Sequence, residues 1–177
     1  TAKGIEEARN AGKIINNLEI NFDLVFTSAL IRAQNTAEII LKEINQSLSI
    51  IKNQALNERN YGDLAGLNKD DARKRWGDEQ VHIWRRSYDI PPPGGESLKD
   101  TGERVLPFFK KEILPHVCTG KNVLVAAHGN SLRSLIKFLD SISNEDIVKL
   151  EIPTGAPIHY VINEDCSVKS KKDFFNE

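Results

Sequence analysis

The 177-residue sequence has no methionine, two cysteines and 7% aromatic residues, and its 24 Lys+Arg are offset by 25 Asp+Glu. The cysteines, Cys118 and Cys166, form neither a C-x-x-C pair nor a zinc-finger spacing. A reduced cytoplasmic compartment is therefore expected, with a single disulfide between them left open. No apolar run approaches the roughly 20 residues that span a bilayer, and the N-terminus lacks a charged region followed by an apolar core. Neither a membrane protein nor an exported one is indicated. A net charge of −1 argues against a general nucleic-acid binder, which needs a basic excess to release counterions. The opening at Thr1 fits both removal of an initiator methionine and a chain that begins upstream.

What is present is ordinary globular composition, 40% hydrophobic and 28% charged. One domain of this length buries roughly 70% of its unfolded surface and needs no staple. Ile5, Ala8, Ala11 and Ile15 recur at three- and four-residue steps and predict a helix over 2–17. Residues 23–28 read as a buried strand that passes through Thr27-Ser28 into a helix over 29–41, and 48–52 as a second strand. This α-β-α-β alternation points to a layered α/β fold. The segment 56–95 reads as an excursion from the sheet with short helices near 68–76 and 79–86, closed by Pro91-Pro92-Pro93-Gly94-Gly95. Trp76 and Trp84 are expected to pack it onto the body. Ser97 with Asp100 forms a capping box that opens a helix to about Leu114, kinked or broken at Pro107 and closed by Pro115. Residues 122–127 are the clearest strand, followed by a helix over 131–139. A last strand covers 158–162, and the lysine-rich residues 167–177 read as an exposed tail.

The strand ending in His128-Gly129-Asn130 places an imidazole, an amide and the free N–H groups of a helix start at the carboxyl edge of a sheet, where α/β proteins bind anions. A lone histidine at such a joint is more often a cap. The second joint, Thr27-Ser28 with Arg32 on the following helix, weights the functional reading. In Asn57-Glu58-Arg59-Asn60-Tyr61-Gly62 a carboxylate stands beside an arginine and a phenol outside any periodic element. Glu58 is either a solvated surface acid or a general acid/base. Lys69, Arg85 and Arg86, with Arg32 and Arg59, are enough cations to surround a small polyanion in a chain of near-zero net charge. His82, His116 and His159 show no ligand spacing and read as structural or exposed, and no metal site is expected.

Five segments together resemble the cofactor-dependent phosphoglycerate mutases of the histidine phosphatase superfamily. They are FTSALIRAQNTA (26–37), LNERNYGDLAGLNK (56–69), WRRSYDIPPPGGES (84–97), AAHGNSLRSLIK (126–137) and IPTGAPI (152–158). The resemblance implies a three-layer α/β/α domain over 1–177 with a mostly parallel central sheet, 56–95 capping the site. It implies Glu58 as the acid/base on the substrate hydroxyl, His128 flanking the transferred phosphoryl and Arg32 holding it. Arg59, Tyr61, Lys69, Arg85, Arg86, Gly129 and Asn130 would line the substrate site. The implied reaction interconverts 3-phosphoglycerate and 2-phosphoglycerate through a phosphohistidine primed by 2,3-bisphosphoglycerate, without a metal, in a cytoplasmic homodimer or homotetramer.

One element of the pattern is absent from these residues. The family's nucleophile is a histidine in an Arg-His-Gly motif on an N-terminal strand, and no Arg-His-Gly occurs in the 177 residues. Residues 1–17 match the family's segment on the C-terminal side of that strand and its loop. Either the chain begins after the nucleophile segment or it is a shortened, inactive remnant that only binds phosphorylated ligands or a partner, with two strand edges exposed. A superfamily phosphatase is the other enzyme alternative, and Tyr61 and Arg85-Arg86 argue against it.

Overall fold

The computed structural model describes residues 1–176. Helix α1 (Ala2–Asn17) starts at Thr1, whose hydroxyl accepts from the Gly4 N–H, and buries Ala8, Ala11 and Ile15 along one stripe. Strand β1 (Leu24–Thr27) leads to α2 (Ile31–Glu43), and β2 (Ile50–Lys52) comes next. The excursion holds two 3₁₀ turns and the short helices α3 (Lys69–Trp76) and α4 (Asp78–Arg86). Then come α5 (Leu98–Phe108), a π-helical turn (Phe109–Ile113), α6 (Leu114–Cys118), β3 (Val123–Ala126), α7 (Gly129–Leu139) and the single turn α8 (Asn144–Ile147). Two antiparallel strands, β4 (Ile158–Ile162) and β5 (Val168–Asp173), end the fold.

Strands β2-β1-β3 form a parallel sheet in that order, with Val25 opposite Leu124 and Phe26 opposite Val125. Alternation along the strands sorts the core into two sides. Val25, Leu124 and Ala126 pack with Ala11 and Ile15 of α1 and Ala37, Ile40 and Leu41 of α2. Phe26 packs oppositely, with Val105, Phe109, Ile113, Leu114 and Leu135. The result is the expected α/β/α layering. Among the described residues β3 is the last strand on its side, and β4-β5 is a separate sheet.

Several boundaries depart from expectation. Pro115 does not end a helix: it lies in the first turn of α6, where its missing N–H costs nothing, and the helical path runs to Cys118. The α-helix breaks as expected just past Pro107, at Phe108, and continues as the π turn before α6. The residues after Ser167 are exposed at their lysines but form β5, paired antiparallel with β4 with a register shift between Val161 and Ile162, and Phe174 beyond it is 5% exposed. Lysines on an outer strand mask the alternation that would have marked it. The two cysteines are bridged, joining the end of α6 to the β4-β5 turn. Trp76 and Trp84 do not dock on the body. Gly77, at φ 86°, breaks the helix between them, and they meet edge to face at 5.5 Å in a small core of the excursion with Leu64, Ala72 and Val81.

Candidate active site

Because β1 and β3 are parallel and adjacent, their carboxyl ends open at the same edge, with Thr27 opposite Ala126. Ser28 and His128 are the residues just past that edge, and the serine Oγ lies 2.7 Å from the imidazole Nε2. His128 is the N-cap of α7, which starts two residues earlier than periodicity places it because Gly129-Asn130 already carry helical geometry. Its backbone N–H donates to Ser131 Oγ. Burial, then the charge of Arg32, holds the His128 imidazole below its ordinary value, while Glu58 pulls the other way. Arg32, in the first turn of α2, is exposed and faces this group with its charge.

Glu58 comes from the loop after the first 3₁₀ turn. Its Oε1 accepts from the N–H of Arg59 at 2.8 Å and from the N–H of Asn130 at 3.1 Å. The second bond joins the loop to the N-terminus of α7, where a carboxylate is favoured by the unpaired N–H groups. A Cβ placed on Gly129 would stand 3.9 Å from Glu58 Oε2, so the joint passes close beside the carboxylate. Asn130 Nδ2 donates to Tyr61 Oη at 2.9 Å. His128, Ser28, Arg32, Glu58, Gly129, Asn130 and Tyr61 thus converge on the carboxyl edge of the sheet.

Arg59 has a different surrounding from the one expected. It is 6% exposed, its Nε and Nη2 donate to the carbonyls of Glu96 and Trp84, and its guanidinium lies 5.0 Å from the Tyr61 ring centre. It supports Tyr61 from behind and ties the loop to α4. Burial draws its pKa below the ordinary guanidinium value, against the opposing charges of Tyr61, Glu58 and Glu96. Arg85 is half-buried on α4 with an Nε that has no acceptor. Lys69 and Arg86 are exposed and make no hydrogen bond to the cluster among the described residues.

Residues not singled out by sequence also belong here. Ser28 stands out in the sequence only as part of a joint. Arg133, one turn along α7, reaches Asn130 Oδ1 at 3.5 Å and leaves a buried Nε without an acceptor. Arg104 and Glu96 pair beneath the Glu58 loop at 2.7 Å. Position i+3 from Asn130 is the one available hint for Arg133. Arg104 and Glu96 carry no local signal.

The residues 1–171 match the model of the histidine phosphatase superfamily (branch 1). A 2,3-bisphosphoglycerate-dependent phosphoglycerate mutase of Rhizobium rhizogenes is 60% identical over 173 residues, 97% of this chain and 82% of that protein. One of Parvibaculum lavamentivorans is 61% identical over the same shares. Among solved structures, the alpha-ribazole phosphatase from Shigella flexneri superposes with a TM-score of 0.83 at 25% identity, covering 99% of this chain and 83% of that one.

Proposed function

The chain belongs to the 2,3-bisphosphoglycerate-dependent phosphoglycerate mutase family, within branch 1 of the histidine phosphatase superfamily, and on that premise we propose that it interconverts 3-phosphoglycerate and 2-phosphoglycerate. The observation that carries the reading is the Glu58–Asn130–Tyr61 constellation beside His128, on a chain about 60% identical to mutases over nearly its whole length. The phosphatase alternative draws on a structural likeness at 25% identity, and the mutase relatives outweigh it.

Glu58 takes and returns the proton of the substrate hydroxyl. Oε1 is held by two backbone N–H groups, so Oε2 is the oxygen left to face substrate. His128 Nε2 and Ser28 Oγ share a hydrogen bond at 2.7 Å, and the same Oγ accepts from the Leu30 N–H at 3.1 Å. This bond orients the imidazole that flanks the transferred phosphoryl. Arg32 supplies charge to the same group, and Tyr61, Lys69, Arg85, Arg86, Gly129 and Asn130 bind the carboxylate and resident phosphate, with Arg59 backing Tyr61. These guanidinium, imidazole and N–H groups perform the charge stabilisation without a metal.

2,3-Bisphosphoglycerate supplies the priming phosphoryl group. The fit of the residues to it rests on Arg85 and Arg133, whose buried Nε atoms lack acceptors at a cost of about 1–3 kcal/mol each until an anion supplies one. The 177 residues contain no Arg-His-Gly, and the reading places the phosphorylated histidine outside them. The cytoplasmic location, which rests on the family and not on the cysteines because these are bridged, the single domain capped by 56–95 and the homodimer or homotetramer expected from the family complete the reading. Among the described residues no helix is long and apolar enough to cross a membrane.

The test is conversion of 3-phosphoglycerate with and without a trace of 2,3-bisphosphoglycerate, using protein expressed from its complete reading frame. Conversion dependent on the bisphosphate is expected. A folded protein that converts nothing under either condition overturns the proposal.

A further inference from the structure

The Glu58 loop has few means of holding its own shape. It lies between a three-residue 3₁₀ turn, Gln54–Leu56, and the turn at Gly62, and the intervening backbone has no helix or sheet ladder to consume its polar groups. Arg104, on the second turn of α5, supplies the missing bonds. Its Nη1 donates to the carbonyls of Ala55 at 2.7 Å and Asn57 at 3.0 Å. Its Nη2 donates to the carbonyl of Glu58 at 3.0 Å and to Glu96 Oε2 at 2.9 Å, and its Nε donates to Glu96 Oε1 at 2.7 Å. A guanidinium has five N–H donors, and all five are used. Glu96 holds the other side of the loop: its Oε2 accepts from the Asn60 N–H at 2.9 Å, and its backbone carbonyl accepts from Arg59 Nε at 2.6 Å.

We propose that Arg104, locked by Glu96, is the positioning residue for Glu58. It fixes the three carbonyls at and before Glu58, while Glu96 fixes the N–H two residues after it. The backbone that carries the carboxylate is therefore clamped on both sides from a rigid helix. The α5 end of the clamp is itself anchored by the Ser97–Asp100 capping box, with Ser97 Oγ accepting from the Asp100 N–H at 3.1 Å and Asp100 Oδ2 accepting from the Ser97 N–H at 2.9 Å. Arg104 touches no reacting atom, and its effect passes through the placement of Glu58. Lysine cannot substitute: an ammonium offers three donors from one point, whereas the loop carbonyls and Glu96 together take donors from three nitrogens in a planar fork.

This inference rests on the mutase reading, in which Glu58 moves the proton, and the experiment separates the two. Wild type, Arg104→Lys, Glu96→Gln, Glu58→Asp and the double variant Arg104→Lys/Glu58→Asp are compared for kcat and KM with 3-phosphoglycerate, in protein from the complete reading frame. A wild type without mutase activity overturns the mutase reading. With an active wild type, Arg104→Lys is expected to lower kcat about 10²-fold, the usual cost of misplacing a working group by about 1 Å, while KM stays within about threefold. Glu96→Gln, which leaves the three carbonyl bonds in place, loses less and in the same parameter. In the double variant the two losses in kcat do not multiply, because both act on one carboxylate. Unchanged kcat in Arg104→Lys, a loss confined to KM, or multiplicative losses in the double variant would each overturn the proposal. So would failure of both Arg104→Lys and Glu96→Gln to fold, since the pair would then be holding the domain together rather than the carboxylate.

Discussion

Ser28 Oγ and His128 Nε2 stand 2.7 Å apart at the ends of two adjacent parallel strands, and this one bond orients the imidazole at the sheet edge. The Leu30 N–H donates to the same Oγ and holds the hydroxyl in place. Ser28→Ala removes the imidazole's partner at Nε2 and leaves the ring unheld. A fall in kcat of about 10- to 100-fold is expected, on the scale of losing an orienting partner of a working imidazole. Steady-state kinetics check it, and a variant with wild-type kcat would show that this bond is immaterial to the reaction.

Acid should destabilise the fold in two stages. His128 is held below 6.5 by burial and Arg32, so the unfolded chain takes up its proton first as pH falls. The stability it contributes is present above pH 6.5 and is lost as pH drops through its folded value. Burial alone would raise the Glu96 carboxyl, but the bonds from Arg104 and Asn60 overcome it and hold it below 4.5, so its contribution is lost only below that pH. Denaturant midpoints measured against pH should begin to fall below pH 6.5 in the wild type, and the first stage should vanish in His128→Asn. A first stage that survives the substitution would assign it to another group.

The Cys118–Cys166 bond closes a loop of sequence separation 48 and ties the β4-β5 hairpin to the helical layer. Reduction should cost up to about 4 kcal/mol by the loop-entropy relation. Urea unfolding with and without a dithiol reductant measures it, and Cys166→Ser should match the reduced wild type. Identical curves for oxidised and reduced protein would mean the hairpin is held by its other contacts, among them the Tyr160 hydroxyl donating to Asp140 Oδ1 at 3.0 Å.

At Gly62 the Tyr61 turn meets the Pro-Gly loop at close range. At φ 54° this glycine occupies the left-handed region, and a Cβ there would collide with the Pro93 carbonyl oxygen and stand 2.5 Å from the Gly95 nitrogen. Gly62→Ala should cost at least about 2 kcal/mol. Because Tyr61 is its neighbour, KM should also rise. A variant with unchanged stability and KM would contradict this packing of the Pro-Gly loop against the Tyr61 turn.

Periodicity reveals most of the scaffold. Helix α1, which buries a repeating apolar stripe, and strand β4 fall at the expected residues, and the short helices of the excursion within one residue. Strand β5 is hidden because its lysines face water and its anchors, Val168 and Phe174, lie six residues apart. The joints at Ser28 and His128 announce themselves by position on the sheet edge. Glu58, Tyr61 and Arg85-Arg86 are legible as an unusual cluster, and resemblance supplies their roles. Arg104 is illegible: on an amphipathic helix it reads as one more solvated cation, and only the folded path of the Ala55–Glu58 backbone shows what it binds.

Glu58→Gln separates proton transfer from phosphoryl uptake. Intact mass after exposure to 2,3-bisphosphoglycerate should still show the phosphoryl adduct, whereas isomerisation should fall by about 10²- to 10⁴-fold, the range that a general acid/base contributes. Equal loss of both would contradict the role given to Glu58.

The most direct measurement is a ³¹P NMR time course of 3-phosphoglycerate with a trace of 2,3-bisphosphoglycerate and protein from the complete reading frame. The expected result is transfer of the phosphorus signal to 2-phosphoglycerate, with inorganic phosphate a minor product. Inorganic phosphate as the main product would make the protein a phosphatase and contradict the assignment.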